Sequence, residues 1–439
     1  MLQTLFHIPH AIAGWPVFGW GWALAGWIVV CLVWAALLSR LPEKKKELAG
    51  SLPLMLLVAA MIAFVAPRIE EIGPDGTPLG VPIRGYGMMM LVAIVTGVGM
   101  AASRAKRMGL DPEIIFSLAL WMCIAGVVGA RAFYVIQKWD EQFASNDLGA
   151  TIMKVLSFTE GGLVVFGSAI GALAALAAFC AVRKLPPLAI ADLVAPSMMV
   201  GLAIGRVGCL LNGCCYGGYC ELPLALRFPP EAPVYVDQLT SGHLFGARLM
   251  ARANADSGQA EVIVAEVVPG SQAEKAGLHV GEVVEQIGAF PVHSMEDVRR
   301  VFSELARQIE ANHAAGQPTR VRINQLPEIE FTALPPRSLP VHPTQIYSAI
   351  DAALLAAVLW FYYPFRRRDG EVVALMLTLH PISRFLLEVV RVDEGGFAGT
   401  PFTVSQWVGF LFLACAIALW LYLERRPLGS ALPRRASAA

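Results

Sequence analysis

Charge is scarce in this sequence. Only 15% of its 439 residues are Asp, Glu, Lys or Arg and 56% are hydrophobic, where a soluble globular protein carries roughly 25% charged residues. Neither sign prevails: 34 basic residues face 34 acidic ones, which removes any broad electrostatic attraction to nucleic acid. Neither H-E-x-x-H nor G-x-S-G occurs in an apolar stretch, so an intramembrane protease finds no support. What is abundant is the long hydrophobic run, and that points to the membrane.

A bilayer-spanning helix needs about 20 mostly apolar residues. Pro16–Ser39, Gly50–Pro67, Gly85–Ser103 and Gly161–Val182 contain no charged residue, and Gly395–Leu423 is also uncharged. Four more runs carry one or two: Ile114–Gln137 with Arg131, Pro186–Leu211 with Asp192 and Arg206, Pro343–Phe365 with Asp351, and Val372–Val390 with Arg384 and Glu388. The expectation is an all-α polytopic membrane protein of about nine transmembrane helices. Every second loop is basic: Arg40 to Lys46, Arg104 to Arg107, Arg183 and Lys184, Arg366 to Arg368, and Arg425 to Arg435. Cytoplasmic loops collect such residues, which puts the N-terminus outside and the C-terminus in the cytoplasm. The first run lacks a basic leader, as expected of a retained span rather than a cleaved signal peptide.

One outward loop is too long for a connector. Residues 221–342 hold 25 of the 68 charged residues and read as a soluble, β-rich insert. Val262–Val268 alternates like a strand, Pro269-Gly270-Ser271 turns, and Ser294–Glu310 is helical. Val262–Phe302 resembles the later part of a bacterial PDZ domain, with Gly281-Glu282 in place of the usual Gly-Asp and a carboxylate-binding loop expected near Leu244-Phe245-Gly246. Such domains bind peptides by strand addition; a folded insert without a ligand is the alternative. The domains expected are a two-helix extension (1–70), a first part of the membrane core (71–230), the PDZ-like insert (231–338), a second part of the core (339–424) and a basic tail (425–439).

Cys31, Cys123, Cys180 and Cys415 stand singly in apolar runs, as small packing residues do. Cys209, Cys214, Cys215 and Cys220 cluster at an outward end. Their C-x4-C-C-x4-C spacing lacks the paired C-x2-C of common zinc sites, and a disulfide, packing and zinc all remain open.

Charges inside spans are the most informative residues, because each costs about 2.5–3.5 kcal/mol at the bilayer centre. His380, Arg384 and Glu388 recur at i, i+4 and i+8, one face of a helix. Arg206 lies within Gly205-Arg206-Val207-Gly208, and Arg131 follows Gly129-Ala130. Three arginines against Glu388 and Asp192 leave a surplus of positive charge. In a membrane the abundant anion is a lipid phosphate, which the planar guanidinium holds bidentately.

Five ordered blocks then resemble the prolipoprotein diacylglyceryl transferases, bacterial inner-membrane enzymes that attach diacylglycerol to lipoprotein precursors. They are Arg84-Gly85-Tyr86-Gly87, Gly129-Ala130-Arg131-Ala132-Phe133-Tyr134, the stretch 192–217 centred on Gly205 to Gly213, His342-Pro343-Thr344-Gln345-Ile346-Tyr347, and Arg384 to Glu388 with Arg391 and Ser405-Gln406. The resemblance covers about half the chain and leaves out the first two runs and the insert. It departs at chemically important places: Phe166 stands at the family's histidine, Cys209 at the first signature asparagine and His380 at a tyrosine. The resemblance implies that the lipobox thiol of a secreted precursor takes the diacylglyceryl group of phosphatidylglycerol. The reading assigns His380, Arg384 and Glu388 to catalysis, with His380 as base, and Arg206, Tyr86, Asn212, Arg131 and Gly217 to substrate binding. No cofactor or metal is called for. The partners are phosphatidylglycerol, lipobox precursors, membrane lipids and a peptide ligand of the insert, with no nucleic acid. The alternative is a degenerate relative that binds lipid or precursor without turnover.

Overall fold

In the computed structural model the described residues are 3–39, 52, 55–73, 76–139, 143, 148–156, 164–253, 260–391, 400 and 402–432. They fall into two compact units, Met1–Met89 with Leu211–Gly213, and Met90–Leu210 with Cys214–Ala439.

The first unit opens with β1 (Thr4–Ile8), the tight hairpin β2 (Ala11–Ile12) and β3 (Trp15–Pro16), then α1 (Trp22–Ser39). The apolar run expected from Pro16 therefore starts its helix six residues later, because Trp15–Pro16 pairs with Ala11–Ile12. A second apolar helix, α2 (Met55–Arg68), follows, and Trp27 Nε1 donates to the Met55 carbonyl at 3.1 Å. β4 (Glu71–Ile72) and β5 (Pro78–Arg84) complete a sheet of order β1-β5-β4. Hydrogen bonds of His7 with Glu71 at 2.9 Å and His10 with Glu70 at 2.6 Å fasten it.

The remaining apolar runs form α3 (Gly85–Arg107), α4 (Pro112–Gln137), α6 (Val165–Arg183) and α7 (Pro187–Asn212), with α5 (Leu148–Leu156) between α4 and α6. Gly161 and Gly162, which begin the fourth run, lie outside the described residues. α4 and α6 touch backbone to backbone: a Cβ on Gly129 would meet the Gly167 carbonyl at 2.4 Å, and one on Gly171 the Ala125 carbonyl at 2.1 Å. Small residues permit this approach between apolar helices.

The insert contains α8 (Pro233–Thr240), β6 (Ala247–Ala253), β7 (Ala260–Val267), α9 (Gln272–Lys275), β8 (Gln286–Ile287), β9 (Phe290–Pro291), α10 (Met295–Ala314), β10 (Thr319–Val321) and β11 (Ile329–Phe331). α10 starts where Ser294 caps the Asp297 amide. Its Val298, Val301, Phe302, Leu305 and Ile309 form a buried stripe, and Phe302 stacks on Phe245 with centroids 4.7 Å apart. Both the strand expected over Val262–Val268 and the helix expected over Ser294–Glu310 are present.

The chain returns through α11 (Thr344–Tyr362), α12 (Glu371–Glu388) and α13 (Val404–Glu424). Six helices, α3, α4, α6, α7, α11 and α13, are long and apolar enough to cross a membrane, so the protein is a polytopic membrane protein. The other three of the nine expected spans are helical too. α1 and α2 are shorter in apolar length, and α12 carries Glu371, Arg384 and Glu388.

Asp192 corrects the charge count made from sequence. It is fully buried on α7 and accepts from the Gly370 and Val373 amides at 2.7 and 2.9 Å. It thus satisfies the first turn of α12, where orphan N–H groups carry the positive end of the helix dipole. Arg366, equally buried, is its cation at 3.9 Å. Asp192 lies 14 residues from Arg206, about 21 Å along the helix at 1.5 Å per residue, and so does not neutralise it.

Candidate active site

α12 places His380, Arg384 and Glu388 on one face, as their spacing requires. Arg384 contacts Glu388 in an ion pair one turn apart. Glu388 is 4% exposed and also accepts from Thr403 Oγ1 at 3.3 Å, with Arg391 Nε 4.0 Å away. Arg384 Nη2 donates to Ser405 Oγ at 3.2 Å. Thr403 and Gln406 form a capping box at the start of α13, which fixes the Thr403 and Ser405 hydroxyls against the α12 charges. Glu388 therefore stands between two arginines.

His380 Nδ1 is buried and has no hydrogen-bond partner among the described residues. The charges acting on this imidazole come from three helices: Asp351 on α11, Arg206 on α7 and Arg384 on α12. Asp351 also accepts from Ser383 Oγ at 2.8 Å. Arg206 and Arg384 thus both act on the His380 imidazole. Among the described residues Arg206 has neither a hydrogen-bond partner nor an ion pair, so its guanidinium is available to an exogenous anion.

The stretch after α7 carries the other half of the site. Gly217 N–H donates to the His342 carbonyl at 3.0 Å, and Gly218 N–H to the Val390 carbonyl at 3.0 Å. A Cβ at Gly217 would lie 2.7 Å from His342 Cβ and 2.8 Å from Thr344 Cγ2; only glycine fits where these three segments converge. Thr344 Oγ1 and Gln345 Nε2 donate to the Cys215 and Cys214 carbonyls at 2.7 Å each. Cys209, Cys214 and Cys215 gather their sulfurs within 4.8 Å of one another. Hydrogen bonds from Cys209 and Cys214 hold the Cys215 thiol below its ordinary value, and Arg206 and Arg391 act in the same direction. Cys220 is buried apart, its sulfur accepting from the Leu222 amide at 3.4 Å.

Arg131 is placed differently from the other arginines. It is 6% exposed and donates from Nε to the Val155 carbonyl at 3.0 Å and from Nη2 to the Lys154 carbonyl at 2.7 Å. A cation at the last carbonyls of α5 is favourable, and Arg131 fastens that helix. Tyr86, the second residue of α3, and Asn212 belong to the first unit, where the Asn212 carbonyl accepts from Gln3 Nε2 at 2.9 Å. Phe166 is half-buried in the first turn of α6. A cavity of about 410 Å³ lined by Met100, Arg104, Arg107 and Trp360 lies at the far end of α11 and holds none of these groups.

Sequence reasoning named Arg391, Asp351 and Ser405 without giving them a role. Arg391, at i+3 from Glu388, was the readable signal; Asp351 and Ser405 reach the site from other helices, which no local spacing reports.

Comparison with known proteins matches residues 76–422 to a family model described as prolipoprotein diacylglyceryl transferase. A Rhodopirellula baltica protein named phosphatidylglycerol–prolipoprotein diacylglyceryl transferase is 34% identical over 445 residues, covering 95% of this chain and 88% of its own length. A protein of that name from Trichormus variabilis is 31% identical over 176 residues, 40% of this chain and 58% of its own. One from Listeria innocua is 32% identical over 145 residues, covering 33% and 50%. The likeness is wider than the sequence blocks implied, since the Rhodopirellula baltica match leaves only 5% of this chain uncovered.

Proposed function

This chain belongs to the prolipoprotein diacylglyceryl transferase family, and we propose that it transfers the diacylglyceryl group of phosphatidylglycerol to the lipobox cysteine of secreted prolipoproteins. The observation that carries the mechanism is Arg206, a guanidinium inside an apolar helix with no anion partner among the described residues, which acts with Arg384 on the His380 imidazole. Arg206 holds the lipid phosphate, Arg384 assists, and Glu388 fixes Arg384. The lipobox sulfur attacks C3 of the diacylglyceryl glycerol. An S–C3 bond forms, the C3–O bond to phosphate breaks, and glycerol phosphate leaves with the electron pair. Cations at the leaving phosphate stabilise the charge that develops there. His380, whose Nδ1 has no hydrogen-bond partner among the described residues, takes the thiol proton. Tyr86 and Asn212 bind the head group, Gly217 lets the loop close on His342, and Arg131 supports the site through α5.

The proposed setting is a bacterial inner membrane crossed nine times, with the N-terminus and insert outside and the C-terminus in the cytoplasm. The proposed domains are those at 1–70, 71–230, 231–338, 339–424 and 425–439. The insert is proposed to be PDZ-like. Its carboxylate loop is already engaged: the Phe245 and Gly246 amides donate to the Gly242 and His243 carbonyls at 2.9 and 3.1 Å, and the Leu249 amide to Ser241 at 2.8 Å. A peptide would therefore add along β6 beyond Leu249 rather than present its terminal carboxylate to this loop.

Rescue of a strain depleted of its own transferase tests the function. The wild-type chain should restore lipoprotein modification and Arg206→Ala should not. Failure of expressed, inserted wild type would favour binding without turnover.

A further inference from the structure

Three thiols beside the phosphate-binding arginine have no part in the mechanism above. The Cys209, Cys214 and Cys215 sulfurs lie within 4.8 Å of one another, each half-buried. Two thiolates on one tetrahedral zinc are about 3.8 Å apart, given bonds near 2.3 Å, so side-chain rotation of an ångström or less brings all three onto one ion. The backbone is set for this. Cys215 has φ +56°, in the left-handed region, after Gly213 at φ +76°. The Cys214 amide donates to the Cys209 carbonyl at 3.2 Å, and Thr344 and Gln345 grip the next two carbonyls. Cys220 is held elsewhere by Leu222. Three sulfurs converge, therefore, and a tetrahedral ion would keep its fourth position for an outside ligand, as catalytic zinc does.

Charge supports the same assignment. Zinc with three thiolates carries one negative charge and a fourth thiolate adds another; Arg206, three residues before Cys209 on α7, supplies a positive charge one turn away. Soft thiolates select zinc or copper(I), and zinc is the redox-inert Lewis acid of the two.

We propose that Cys209, Cys214 and Cys215 bind a zinc ion whose fourth position takes the acceptor thiol of the precursor beside Arg206. The inference rests on the transferase reading. On binding zinc the acceptor thiol loses its proton, which His380 takes as in the transferase reading. The bound sulfur then forms its bond to C3 while the C3–O bond breaks, and the electron pair departs on the glycerol phosphate held by Arg206. The product thioether is neutral and a poorer ligand, so it leaves the metal. This gives thiol activation to a chain with Phe166 where the family has histidine.

The test uses the full-length protein in detergent. We expect one zinc per chain by elemental analysis, and thiolate-to-cobalt absorption after cobalt exchange. That absorption should change when a lipobox peptide is added and stay unchanged with the Cys→Ser peptide. Cys214→Ser and Cys215→Ser should lose the metal, whereas Arg206→Ala should keep it and lose transfer. If the serine variants fail to fold, the wild-type cobalt response to the two peptides decides alone. A disulfide among the three thiols in the active protein, a cobalt spectrum blind to the peptide thiol, or full transfer by metal-free protein would overturn the zinc site and leave the transferase reading standing. A peptide-responsive metal site without transfer would uphold the thiol site and overturn the transferase reading.

Discussion

The insert and the membrane core handle charge in opposite ways. In the insert, ion pairs lie at the surface, as with Arg252–Glu261 and Arg320–Glu330, and the interior is aliphatic and aromatic around Phe302, Val264 and Ile287. Exposed pairs of this kind contribute about 0–1 kcal/mol each and need no functional explanation. In the core the apolar surface faces outward, as on α3, α4 and α6, and charges are inside. Every charge there has a cost and therefore a reason. The reasons divide between the two ends of the helices: Asp192 with Arg366 holds α12 to α7, while Arg206, Arg384, Glu388 and Arg391 are the proposed site. A charge inside a span marks either a joint or a ligand, and its partners say which.

The comparison breaks most sharply at the joint. Asp192→Ala should cost about 3 kcal/mol, because it leaves buried Arg366 with Asp369 alone at 3.8 Å and frees two amides of α12. Loss of folded protein in detergent thermal unfolding checks this, and an unchanged midpoint would contradict it. At the ligand end, Arg384→Ala should leave the unfolding midpoint nearly in place and lower transfer about 100-fold, roughly 2.7 kcal/mol of transition-state stabilisation, read by initial rates of peptide modification.

In the insert the expected effects come from burial rather than from pairing. Burial pushes His243 down to about 4, with Arg248 adding to it. The unfolded chain protonates this histidine near 6.5 and the folded one does not, so its contribution is complete above pH 6.5 and is lost as pH falls towards 4. The expected loss is about 3 kcal/mol before any offset from Glu266, 3.8 Å away, whose carboxyl burial pushes up. Hydrogen exchange of β6 and β7 amides in the whole protein should quicken over that window, and His243→Gln should flatten the response. Smallest of all, Arg320→Ala should shift exchange of β10 by no more than about 1 kcal/mol.

The sequence made much of this legible. Long apolar runs nearly free of charge located every long apolar helix, and the i, i+4, i+8 spacing put His380, Arg384 and Glu388 together. Four features escaped for physical reasons. Asp192 looked like a counter-charge for Arg206, since composition counts charges without saying which end of a helix they occupy. α5 is only nine residues long, too short for a period to show, so the partner of Arg131 was invisible. The four clustered cysteines looked like one group, and only the left-handed turn at Cys215 and the Leu222 amide separate Cys220 from the other three. The Trp15–Pro16 hairpin was likewise hidden inside an apolar run, because strand pairing depends on Ala11–Ile12 rather than on hydropathy.

The central claim is that Arg206 holds the phosphate of phosphatidylglycerol while the lipobox thiol takes its diacylglyceryl group. The direct measurement is mass spectrometry of a lipobox peptide incubated with purified protein in vesicles of phosphatidylglycerol or of phosphatidylethanolamine. We expect the diacylglyceryl mass on the peptide only with phosphatidylglycerol and wild-type protein, and at least a 100-fold slower reaction with Arg206→Ala, about 2.7 kcal/mol. Modification by Arg206→Ala at the wild-type rate, or equal modification from both lipids, would contradict the claim.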